Sequence, residues 1–141
     1  MMYFKTILLS MFSFLSVNQI NDINDLKWNN RVLIIAYSHS IDFSKKINAM
    51  IEEFDERNFI IVHIKDKNTF IDNTKMSKSF SDSILKKIKS INKKQFLILL
   101  GKDGHVKNTY PEGTQIEKIF SDVDKMPMRK YEIELKNNHS K

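Results

Sequence analysis

Residues 96–107 read FLILLGKDGHVK, and the fold follows from how that stretch is parsed. The apolar run over residues 95–100 has the length of a strand. Lys102-Asp103-Gly104 is a turn sequence, and residues 105–110 return as the second arm of a hairpin that Pro111 ends. Downstream, Thr114-Gln-Ile-Glu117 has the pattern of a capping box. Ile116, Ile119, Phe120 and Val123 then form the apolar stripe of a helix, which Pro127 stops.

Upstream, Phe80, Ile84, Ile88 and Ile91, helped by Leu85, recur at helical spacing. Residues 66–78 are polar and irregular and read as a surface loop. Residues 31–37 (RVLIIAY) and 58–65 (NFIIVHIK) are continuous apolar runs, the pattern of strands buried on both faces. Between them Ile47, Met50, Ile51 and Phe54 predict one amphipathic helix over residues 43–56, with Ser40 or Asp42 as its cap. The resulting order is strand, helix, strand, helix, strand, strand, helix. That is the thioredoxin core topology, so the expected class is α/β, thioredoxin-like, with a central mixed sheet of about four strands flanked by helices.

At 141 residues, with 41% hydrophobic and 28% charged residues, the chain has the composition of one globular domain and not of a disordered segment. Residues 21–141 are expected to form that single domain, closing in a short polar C-terminal tail. Residues 1–20 read differently. Lys5 precedes an apolar stretch over residues 6–17, and the chain turns polar at Asn18, as in a secretory signal. Ser16 suits a cleavage point while Val17, Asn18 and Gln19 leave it open, and an uncleaved anchor is the alternative. The expected location is secreted or periplasmic, with no stable membrane span after cleavage.

The formal net charge is +6, but only Arg31, Arg57 and Arg129 of the 23 basic residues are arginine. Abundant Lys, Asn, Ile and Phe point to coding bias on a solvated surface. A nucleic-acid partner is not expected, because base and phosphate recognition favours the arginine fork. Lys86, Lys87, Lys89, Lys93 and Lys94 read as a solvated face, or as a contact for an anionic membrane or polysaccharide.

The order Gly101-Lys-Asp-Gly104, Lys107, and Asp124 to Arg129 (DKMPMR) resembles the domain of unknown function 4174 family, over residues 26–135. Relatives in that family include small bacterial exported proteins and modules of animal extracellular-matrix proteins. The resemblance implies a thioredoxin- or peroxiredoxin-like fold and an exported protein. It implies no particular activity.

Cysteine is absent, so neither thiol–disulfide exchange nor thiol peroxide reduction has a sulfur to work with. Two groups of residues carry the functional expectations. Ser38-His39-Ser40-Ile41-Asp42 follows the first strand, where a helix N-terminus favours anions. His39 and Asp42 are the candidate catalytic residues there, and a solvated helix-capping loop is the other reading. Lys102, Asp103, Lys107, Asp124 and Arg129 are the candidate ligand-binding residues. On one reading Lys102, Lys107 and Arg129 make a cationic pocket for a small anionic ligand or a partner protein's carboxylate. On the other, Arg129 reaches back to Asp124 or Asp103 and holds the last helix against the hairpin.

Two functions follow. One is a binding or interaction module. The other is a sulfur-independent enzyme using His39 and Asp42 with Lys102 or Arg129 as anion stabiliser. The histidines lack metal-ligand spacing, His63 reads as a core residue, and Trp28 is expected to pack against the core edge. No metal and no cofactor is expected.

Overall fold

Arg31–Ile35 forms β1, and all five of its residues are buried, as its unbroken apolar run requires. The computed structural model describes residues 20–36 and 41–140. The expected signal segment up to residue 19 and the loop residues Ser38, His39 and Ser40 lie outside the described residues, as does the side chain of Asp42. After β1 come α1 (Ile41–Ala49), α2 (Ile51–Glu56), β2 (Phe59–Lys65), β3 (Asn68–Ile71) and β4 (Thr74–Lys75). Then follow α3 (Lys78–Ile88), β5 (Gln95–Leu100), β6 (Val106–Pro111), α4 (Ile116–Asp124) and α5 (Pro127–His139).

The architecture is α/β, with a mixed six-stranded sheet in the order β4-β3-β2-β1-β5-β6 flanked by helices. β1 and β2 run parallel, and every other neighbour is antiparallel. Alternation along β1 splits the core into two layers. Leu33 and Ile35 pack with Phe54, Phe59, Ile119 and Phe120 under α1, α2 and α4. Val32 and Ile34 pack with Phe80, Ile84 and Ile88 of α3 on the opposite face. Phe54 meets Phe59 and Phe120 edge-on, with ring centroids 5.3 and 4.8 Å away.

Five expectations are corrected. The sheet has six strands, not about four, because β3 and β4 occupy the stretch read as a loop. Their turns put Asp66, Lys67, Asp72 and Asn73 at positive φ without a glycine, so the usual hairpin signal is missing from the sequence. The helix expected over residues 43–56 breaks at Met50, leaving Ile51 exposed. Thr114 makes no capping box: its hydroxyl donates to the Pro111 carbonyl at 2.8 Å, and α4 starts from Gln115 with no side-chain cap. The polar tail is instead the helix α5, with Pro127 in its first turn, where its missing N–H costs nothing. Trp28 does not pack against the core edge: it is 65% exposed, at φ 70°.

Candidate functional site

All three arginines converge at the end of the sheet where β1 begins, and all are buried: Arg31 is 1%, Arg57 8% and Arg129 4% exposed. Arg31 opens β1, Arg57 follows α2, and Arg129 lies in the first turn of α5. Arg31 holds the Glu132 carboxylate with both terminal nitrogens, at 3.1 and 3.2 Å, and donates to the Arg57 carbonyl at 2.9 Å. Arg57 grips Asp124 through Nε and Nη2, at 3.0 and 2.9 Å, reaches Glu53, and lies 4.4 Å from the centre of the Phe120 ring. Arg129 donates from Nε to Asp124 and from Nη2 to Glu56, each at 3.1 Å. Lys102, just past the end of β5, completes the group with a 2.6 Å ion pair to Glu132.

Four cations thus face four carboxylates, and the electrostatics follow from that balance. Burial alone would raise the Asp124 and Glu132 carboxyls, but Arg57 with Arg129, and Arg31 with Lys102, more than offset it, so both titrate below the usual range. The Arg129 hydrogen bond lowers Glu56, burial opposes it, and Lys136 adds to the lowering. The network is first a scaffold. Among the described residues Arg129 is the one buried residue of α5, so this helix is docked by charge rather than by an apolar face.

Beside the network lies a hollow of ≈ 330 Å³. It is lined by Arg31, Lys102 and Lys107 and by Met126, Pro127 and Met128, with Gly101 and Asp103 contributed by the hairpin turn. The turn is built for close approach. Gly104 sits at φ 81°, Asp103 accepts the His105 N–H at 3.0 Å, and a Cβ at Gly101 would stand 2.6 Å from the Lys107 side chain. Lys107 pairs with Asp103 at 2.6 Å, and the Lys107 hydrogen bond is the main cause of a lowered Asp103 carboxyl. Among the described residues, Arg31 Nε is the one buried side-chain nitrogen or oxygen without a hydrogen-bond partner.

The structure therefore gathers Lys102, Asp103 and Lys107 on one hollow and places Asp124 and Arg129 in the network next to it. Arg129 pairs with Asp124 and not with Asp103. It does not line the hollow; Arg31 takes that place. Of the other candidate group, Asp42 lies in the first turn of α1. Phe43, next to Asp42, meets Phe96 at the start of β5 with ring centroids 5.3 Å apart. Lys102 lies past the far end of that strand, about 20 Å along it. His39 is outside the described residues. Among those residues no group of His, Asp or Glu is placed to hold a metal ion, and no helix is long and apolar enough to cross a membrane.

Arg31, Arg57, Glu56 and Glu132 were not legible as site residues. A signal for the arginines exists in their rarity: where lysine serves nearly everywhere, an arginine marks a place that needs the fork. The model of a family described as a domain of unknown function (DUF4174) matches residues 22–132 of the chain. No curated protein and no solved structure matches it.

Proposed function

The chain belongs to the DUF4174 family, and from that premise we propose that its domain is a binding module that captures an anionic group in the hollow beside Arg31. The observation that carries this reading is a ≈ 330 Å³ hollow lined by three cations, Arg31, Lys102 and Lys107, with Asp103 as the one carboxylate among its described lining residues. Lys107 pairs with Asp103, and Arg31 and Lys102 share Glu132, which is not itself among the residues lining the hollow. Met126 and Met128 supply an adaptable apolar wall for the rest of the ligand.

In this reading the ligand is a small carboxylate, free or borne by a partner protein, and no thiol chemistry takes part. The exported location rests on the pattern of residues 1–20. Kinship with thioredoxin-like domains rests on the order and directions of β1, β2, β5 and β6.

Calorimetric melting of the full chain against short-chain carboxylates, inorganic phosphate and sulfate tests the proposal. A carboxylate present at a hundred times its dissociation constant adds about 2.7 kcal/mol, which is about ten degrees in Tm for a domain of this size. That shift should vanish in Lys107→Gln and survive in Lys118→Gln, whose ammonium pairs with Asp122 elsewhere. A flat response to every anion, or equal shifts in both variants, overturns it.

A further inference from the structure

We propose that a second hollow, at the carboxyl ends of β1 and β2, binds an organic ammonium ion carried on an apolar body. The hollow measures ≈ 560 Å³, within the usual range for small-molecule sites. Ile35 ends β1 and His63 and Lys65 close β2, so it opens where the parallel pair points its carboxyl ends, the general position for ligands in open α/β sheets. It lies at the end of the sheet away from the arginine network and does not depend on the anion site.

The unexpected hairpin makes this hollow. His63 and Phe70 are directly paired across β2 and β3, so both side chains stand on the same face. Ile47 and Ile51 contribute from α1 and α2, and Ile51 is exposed although Ile47 and Phe54 of the same helix pattern are buried. The turn after β3 adds Asp72, which makes no ion pair among the described residues, to the lining.

Among the described residues that line the hollow Asp72 is the one carboxylate and Lys65 the one cation, and the surplus of negative charge comes from Asp55 and Glu52 outside the lining. Burial first, and then Asp72 and Glu52, hold the Asp55 carboxyl above its usual range, which shows that three carboxylates share this side of the domain. Burial also lowers the His63 imidazole, with Asp72 opposing, so the ring is neutral at pH 7 and can accept a hydrogen bond. A body of phenyl size would meet Ile47, Ile51 and Phe70 while its ammonium group meets Asp72.

The test is a titration of the full chain with phenethylammonium, followed by NMR shifts of the His63 ring and the Phe70 amide. 2-Phenylethanol and 3-phenylpropionate serve as the neutral and anionic controls. Saturable shifts are expected for the ammonium ion, with at least tenfold weaker affinity for the alcohol and no binding of the carboxylate. Asp72→Asn should weaken the ammonium ion at least tenfold. Asparagine tolerates the left-handed backbone at this turn, so the hairpin stays intact. Lys107→Gln should leave the titration unchanged. Absence of saturation, equal affinity for the carboxylate, or an unaltered titration in Asp72→Asn overturns the proposal.

Discussion

Arg129 shows why three positions in a lysine-rich chain carry arginine. Its guanidinium spans Asp124 and the side chain and carbonyl of Glu56, three acceptors in different directions. An ammonium group is a point charge on a flexible stem and cannot hold that geometry. Arg129→Met leaves Asp124 to Arg57 and Glu56 to Lys136. The expected cost is about 1–3 kcal/mol, since both carboxylates keep a partner and each is more than a third exposed. Arg129→Lys should fall between the two proteins in urea unfolding. Equality of the lysine variant with the parent would show that charge alone matters and the fork does not. The Arg129–Asp124 pair, five residues apart, was readable in the sequence, whereas Arg31 and its partner Glu132 are 101 residues apart and were not.

At the scale of elements, legibility followed burial. β1, β2 and β5 announced themselves as apolar runs because both of their faces are covered, and β6 through the Lys-Asp-Gly turn. β3 and β4 stayed hidden because their turns use Asp, Lys and Asn in the left-handed region where glycine is the usual signal. α5 stayed hidden for another reason. Its large apolar residues Met128, Tyr131 and Leu135 are exposed, so no stripe points to the core. The candidate site was half legible on the same grounds. The turn residues stand together in sequence, whereas the arginine beneath them comes from the start of the first strand. A helix docked by charge should detach when one charge is removed. In Glu132→Ala the amides of α5 should exchange with solvent at least tenfold faster while those of β1 and β5 keep their protection. Uniform acceleration across the fold would mean that α5 unfolds only with the whole domain.

For the whole molecule, acidification should act in two stages. His63 has its folded pKa lowered from 6.5, so its contribution is complete above that value and is lost as pH falls through the folded one. Glu56, Asp124 and Glu132, lowered from 4.5, 3.8 and 4.5, contribute in full above those values and lose it further down. Asp55 runs the other way, since its raised carboxyl favours the fold once it is protonated. Urea midpoints should therefore begin to fall below about pH 6.5 and fall more steeply below the carboxylate values. His63→Gln should remove the first stage and leave the second. A parent profile that is flat down to the carboxylate range would contradict the desolvated imidazole.

The exposed Trp28 has a consequence of a different kind. It is the only tryptophan in the chain, and its backbone N–H donates to the Lys102 carbonyl at 2.6 Å, in the turn that frames the hollow beside Arg31. Light absorbed by indole in this protein is therefore re-emitted from a largely solvated ring on a residue whose backbone is fastened to that turn. Unfolding moves such a ring from water to water and changes its colour little. The domain carries an optical reporter nearly blind to the loss of its own fold, and a constant emission colour through a melt would not mean that the fold persists.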